Sequence, residues 1–283
     1  MGNPLRNHSS RRPQVSVEFK RNTRLRVRPG NSMPIASRLK FHWADAISKT
    51  EWRTYKRAIE ALRKANIPFL LGGGFALATF TGRFRDTKDM DFYVLPRARS
   101  EAIAALKRAG FSDYFKTRPY DRKWIYRSVR SGVIVDIIWS MANRRAKVDQ
   151  IWLDNARSVL VRGEELKVVP TEEFLWCKLY ILQRDHCDWT DIFNVIYSCG
   201  NQVNWVHLIK RLDEDVPLLK AALMVYTWLC PGRASELPAR LWVQLGMAKP
   251  KLVANPVLRK HVRFLDSRAW FAALQPANIK LQV

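Results

Sequence analysis

Three aspartates are spaced so that they could share a metal. Asp89 and Asp91 lie two apart in Asp89-Met90-Asp91, at the entry to an apolar run. Asp136 sits inside another such run, flanked by Val133, Ile134 and Val135 before it and Ile137, Ile138 and Trp139 after it. Residues two apart on a strand project from one face, so the first pair points the same way. Asp136 joins them if its strand lies beside theirs. Three converging carboxylates repel one another unless cations sit between them. Two Mg²⁺ ions, roughly 3.5–4 Å apart, would relieve that repulsion and clamp both ends of an in-line phosphoryl displacement. One ion would hold a triphosphate and the other would activate the attacking hydroxyl. Asp136 suits a general base or a ligand of the catalytic metal.

The plain alternative is a set of structural acids. Asp-x-Asp is common in loops and says little alone. Asp136 says more, because an unpaired carboxylate in so apolar a run costs on the order of several kcal/mol. It needs a partner, either a metal or a structural arginine. A carboxyl of Asp136 on the far side of the sheet from the other two, or one paired with a buried guanidinium, would end the metal-site reading.

Upstream, the apolar Phe69-Leu70-Leu71 runs into Gly72, Gly73 and Gly74, and a short apolar helix is expected over Phe75–Phe80. Glycines between a strand and a helix start can cradle phosphate, since small residues admit it and the helix offers amides and a positive dipole. The pattern is neither Gly-x-Gly-x-x-Gly nor a Walker motif, and glycine turns often only turn. Arg83, Arg85 and Lys88 crowd the loop before the carboxylates. They read as charge neutralisation for a triphosphate or an acceptor phosphate, or structurally as partners of Asp86 or Asp89.

Together these residues resemble the DNA polymerase beta-type nucleotidyltransferase superfamily. The resemblance rests on Gly73, Gly74, Ala76, Leu77, Gly82, Arg83, Arg85, Thr87, Asp89, Asp91 and Asp136, over residues 67–139. It is strongest to small bacterial branches: lincosamide-type drug nucleotidyltransferases, abortive-infection-type toxins and uncharacterised nucleotidyltransferases. The resemblance implies transfer of a nucleoside monophosphate from an NTP such as ATP to an acceptor. It implies two Mg²⁺ (or Mn²⁺) ions on the carboxylates and glycines holding nucleotide phosphates. A looser match runs from Trp176 to Asp191. There it implies that Lys178 reaches the triphosphate and that Arg184, Asp185 and Asp188 order an interdomain cleft. Read structurally, Asp188 and Asp191 are an N-cap pair and Lys178 a solvated face.

Composition narrows the partners. Hydrophobic residues make up 47% of the 283, which suits a globular fold. The net charge is +24; the first forty residues hold ten Lys/Arg against one acid, leaving +15 for the rest. Such a field favours a polyanionic acceptor such as RNA, a tRNA end included, over a cationic drug. A little-charged lincosamide is not excluded, and a catalytically silent nucleic-acid-binding module on the same fold is the alternative. Four scattered cysteines, without a Cys-x-x-Cys pair, fit a reducing cytosol rather than a zinc knuckle. The most apolar run, Ala221 to Cys230, has about half a membrane-spanning length, so no membrane location is expected. Oligomeric state is not legible. Met33 offers an alternative start after the Arg-rich opening.

These side chains need a scaffold. Residues 1–40 read as a basic arm, with a loose hairpin over Val15–Val27. Residues 41–169 read as a mixed-sheet α/β catalytic domain, and residues 170–283 as an all-helical domain. Ser48-Lys-Thr-Glu51 is a capping box that opens a helix to about Ala65, with Trp52, Tyr55, Ile59 and Leu62 on its apolar side. Strands are expected at Phe92–Leu95, Phe111–Phe115, Trp124–Val129 and Val133–Trp139, the last two joined by Ser131-Gly132. A further hairpin surrounds Gly163, and Ser100–Ala109 is a helix stopped by Gly110. Helices are expected near 172–183, 189–198, 204–212, 216–229, 234–245 and 266–274.

Overall fold

The computed structural model describes residues 42–261 apart from residues 86, 117, 185, 254–256 and 259. The arm, its Val15–Val27 hairpin and the 266–274 helix lie outside the described residues. The elements in order are α1 (Lys49–Lys64), β1 (Leu70–Leu71), α2 (Gly73–Thr81), β2 (Asp89–Tyr93), α3 (Arg99–Arg108), β3 (Ser112–Asp113), β4 (Ile125–Arg130), β5 (Val133–Ile138), α4 (Gln150–Asp154), β6 (Arg157–Val161), β7 (Glu164–Val168), α5 (Thr171–Leu179), α6 (Trp189–Cys199), α7 (Trp205–Leu212), α8 (Val216–Leu229), α9 (Pro231–Glu236) and α10 (Ala239–Gln244). The strands form one mixed sheet in the order β3-β4-β5-β2-β1-β7-β6. This is the mixed-sheet α/β architecture expected from the sequence, with helices following the sheet.

The expected capping box forms. Ser48 Oγ accepts from the Glu51 amide, and the Glu51 carboxylate accepts from the Ser48 amide. Trp52, Tyr55, Ile59 and Leu62 are all buried along one side of α1, as their spacing predicts. Two parallel pairings set the centre of the sheet: β2 beside β5, and β1 beside β7. The β4–β5 hairpin turns through Ser131 and Gly132 at φ +49° and +76°, the primed geometry that matches strand twist. That two-residue turn fixes every pair behind it, including Arg127 opposite Asp136.

Four expected boundaries shift, for local reasons. Helix α2 starts at Gly73, so the glycines cap the helix rather than precede it. Strand β2 starts at Asp89, which takes both acids into the sheet. Helix α5 stops at Leu179 instead of continuing to 183; an irregular turn follows, closed by a bridge between Leu182 and Cys187. The single helix expected over 234–245 is two. Pro238 holds Leu237 extended, at ψ 151°, and breaks the run into α9 and α10.

Helix α6 packs against both α2 and α5. The side chains of the α5–α6 segment therefore come near the acids that α2 and β2 position.

Candidate active site

Register builds the aspartate cluster. Asp91 on β2 stands directly beside Asp136 on β5, and Asp89 lies one pleat back on the same face. One carboxylate oxygen from each of Asp89, Asp91 and Asp136 lies within 4.8 Å of the others. The sequence expectation that the three acids converge therefore holds in the fold. Asp136 is fully buried, while Asp89 and Asp91 are part-exposed, so the cluster is open on one side.

A fourth residue belongs to it. The guanidinium of Arg127, on β4, donates to Asp136 Oδ1 and Oδ2 at 3.0, 3.1 and 2.6 Å, and to Asp89 Oδ2 at 3.0 Å. The structural alternative raised from the sequence is thus realised in part: Asp136 has an arginine partner. That arginine side chain is 31% exposed, and it is one positive charge against three negative ones. Burial, then Asp89 and Asp136, push the Asp91 carboxyl well above the usual carboxylate range, against the opposing pull of Lys178 and Arg127. Burial likewise pushes Asp136 up to about 6 despite the adjacent guanidinium. Three carboxylates thus face one guanidinium in direct contact with them. An all-oxygen donor set of this kind suits a hard divalent cation, so the residues fit a divalent-cation site.

The glycines work by close approach. A Cβ on Gly72 would fall 2.5 Å from the Tyr93 ring, one on Gly73 1.6 Å from Asp91 Oδ2, and one on Gly74 2.9 Å from the Thr87 side chain. The room they leave is taken by this chain's own side chains. Gly73 also adopts φ +49°, a conformation L side chains rarely adopt. The start of α2 lacks a side-chain cap. Thr87, wedged against Gly74, donates to Asp89 Oδ1 at 3.0 Å and so orients one acid of the cluster.

The remaining expected residues divide. Lys178 lies nearly buried on α5, hydrogen-bonded to Asp188 and 3.0 Å from Asp191. Burial alone would lower its pKa, but Asp191 and Asp188 hold it above its ordinary value. It is a charged lysine in an acid clasp, not the solvated face of the plain reading, and its charge reaches Asp91. Asp188 stands at the N-cap of α6 yet makes no side-chain cap bond; it serves Lys178 and His186 instead. Arg85 pairs with Asp191 at 3.4 Å; Asp86 lies outside the described residues. Arg83 and Lys88 are exposed on the loop before β2. Arg184 is exposed between α5 and α6, and the structure shows no contact that joins it to the aspartates. Asp185 lies outside the described residues.

A family model described as uncharacterised nucleotidyltransferase matches residues 27–230. The chain belongs to this family. The membership expected from the glycine and aspartate motifs therefore holds at the level of this nucleotidyltransferase family. No curated protein matches this nucleotidyltransferase. Similar solved structures include the antibiotic-resistance factor ANT(2'')-Ia, at 16% identity and TM-score 0.44, over 63% of this chain and 97% of that one. A lincosamide antibiotic adenylyltransferase, LnuA, solved with lincomycin, is 14% identical at TM-score 0.37, over 53% and 94%. A nucleotidyltransferase-like protein from Paracoccidioides brasiliensis is 22% identical at TM-score 0.38, over 63% and 94%.

Arg127 is the residue of the cluster that motif reading missed. The signal was present: a two-residue turn at Ser131-Gly132 dictates that position 127 faces position 136.

Proposed function

We propose that this nucleotidyltransferase moves a nucleoside monophosphate from an NTP, with ATP as the default donor, to an acceptor hydroxyl. The acceptor oxygen bonds to the α-phosphorus as the bond to the leaving pyrophosphate breaks. The observation that supports this most directly is the register that brings Asp89, Asp91 and Asp136 within 4.8 Å. Asp89, Asp91 and Asp136 would hold Mg²⁺ or Mn²⁺, which supplies neutralisation of the triphosphate and acidification of the acceptor hydroxyl. Asp136, facing the same side, accepts the hydroxyl proton or holds the cation near it. The start of α2 and the charges of Arg85, Lys88 and Lys178 would face the phosphates, with Arg83 and Arg184 at the rim.

The net charge of +24 favours a polyanionic acceptor such as RNA; a small, little-charged antibiotic is the alternative acceptor. Four unpaired cysteines suit the cytosol, and no helix among the described residues is long and apolar enough to cross a membrane.

The Arg127 clasp favours a second reading: a silent module whose acids are already ion-paired. Labelled NTP with Mg²⁺, offered total RNA and small-molecule pools, separates the two. Transfer that requires metal and disappears in Asp136→Asn, with nucleotide binding retained, supports the enzyme. Nucleotide or RNA binding without any transfer, unaffected by Asp89→Ala plus Asp91→Ala, supports the module.

A further inference from the structure

A second, purely cationic site lies beyond the ends of β4 and β5. A cavity of about 760 Å³ opens there, lined by Arg99, Arg122, Lys123, Arg144 and Lys147 around the buried Trp139. None of its lining residues is acidic, and none belongs to the aspartate cluster. Five like charges around one concavity repel one another, and the structure does little to relieve them. Arg122 has an acid, Asp113, at 2.7 Å. Arg99 lies over the Trp139 ring at 5.7 Å. Lys123, Arg144 and Lys147 have no ion pair among the described residues. The helical run that begins with Pro96 and continues as α3 starts at this cavity, with Pro96, Arg99 and Ser100 on its wall. Its dipole adds positive potential.

Aromatic rings border the same cations. The Arg122 guanidinium lies 4.3 Å from the Phe115 ring centre and 5.5 Å from that of Tyr120. Phe115 is 45% exposed, unusual for so large an apolar side chain. Its neighbour Tyr114 lies under Arg127, the arginine of the aspartate cluster, at 5.8 Å. The segment between β3 and β4 thus carries rings from the aspartates to the cavity. Cationic walls for phosphates and an exposed ring for a base are the two parts of a single-strand binding surface. A lipid surface would use the charges but not a ring at a cavity rim.

We propose that this cavity binds the phosphate backbone of a single-stranded polynucleotide, with Lys123, Arg144 and Lys147 on phosphates and Phe115 stacked on a base. The proposal concerns binding and does not depend on the transfer reaction.

The test is fluorescence anisotropy with full-length protein and a labelled single strand of about twelve nucleotides, as RNA and as DNA, across a salt series. Lys123→Glu plus Arg144→Glu plus Lys147→Glu should weaken binding by at least about tenfold and flatten the salt slope by about 2, near 0.7 per lost phosphate contact. A control of equal charge change, Arg240→Glu plus Lys249→Glu plus Lys251→Glu, should bind at close to wild-type strength. Phe115→Ala should weaken binding about fivefold or more. The assay contains no NTP, which keeps this result separate from any loss of transfer. If the triple variant does not fold, Arg144→Gln alone should still flatten the slope by about 0.7. Binding unchanged in the cavity variants, or weakened equally in the control, would overturn the proposal. So would saturable binding of inorganic phosphate or anionic vesicles, abolished by the cavity variants, without oligonucleotide binding. RNA and DNA binding alike would assign the site to phosphate and base stacking; RNA alone would add a 2′-hydroxyl contact.

Discussion

The side chain that Gly73 lacks would occupy the place of the Asp91 carboxylate: a Cβ there would lie 1.6 Å from Asp91 Oδ2. Backbone and acid are fitted to each other, and Gly73→Ala must move one of them. It adds left-handed strain of about 1–2 kcal/mol to the displacement of a cluster acid. Gly82 is also left-handed, at φ +70°, but a Cβ there meets nothing. Gly82→Ala should therefore lower the melting temperature by the strain alone and leave metal binding intact. Gly73→Ala should lower it further and abolish Mn²⁺ binding by calorimetry.

Arg127 tests whether the acids are a metal site or a structural cluster. Arg127→Met leaves buried Asp136 and half-buried Asp89 without their guanidinium. Breaking such a pair costs about 3 kcal/mol or more, read as a fall in melting temperature with chelator present. A cation site predicts rescue: Mn²⁺ at a hundred times its Kd should return about 2.7 kcal/mol, and more to the variant than to wild type. Acids that serve only the fold predict no stabilisation by divalent metal in either protein.

Much of this was readable in the sequence because it rests on local rules. The period of two put Asp89 and Asp91 on one face, and the Ser131-Gly132 turn set the β4–β5 register. What was hidden depends on the order of strands. Nothing local says that β2 runs parallel beside β5 with Asp91 level with Asp136, since residues 45 positions apart are joined only by the sheet as a whole. The acid clasp on Lys178 was equally invisible. Asp188 at a helix start reads as a cap, and only the packing of α5 on α6 turns it toward the lysine. The helix expected over 234–245 left Pro238 out of account, and it is Pro238 that divides the run into α9 and α10.

Glu164 ties α1 to β7. It accepts from Arg63 at 2.6 Å and lies 3.0 Å from Lys56. Those cations, Lys56 foremost, hold its carboxyl below the ordinary carboxylate range. A depressed carboxyl contributes stability that is present above its unfolded value, about 4.3, and lost as pH falls through the lower folded value. Glu164→Gln should thus cost on the order of 1 kcal/mol or less at pH 7. The gap between the urea midpoints of wild type and variant should be constant from pH 7 to about 5 and close below about 4.

Lys178 separates a fold role from a site role. Lys178→Met would leave Asp188 and Asp191, both nearly buried, with Arg85 and His186 as their remaining ion partners among the described residues. That should cost about 3 kcal/mol. Adding Asp188→Asn removes one of the stranded charges, so the double variant should recover part of the loss; the coupling is measurable by a double-mutant cycle. If the lysine serves only this clasp, the double variant should also regain transfer activity. If its charge, which reaches Asp91, also holds a triphosphate, stability should return while the KM for NTP stays high. Recovery of both would confine Lys178 to the fold and remove it from the phosphate site.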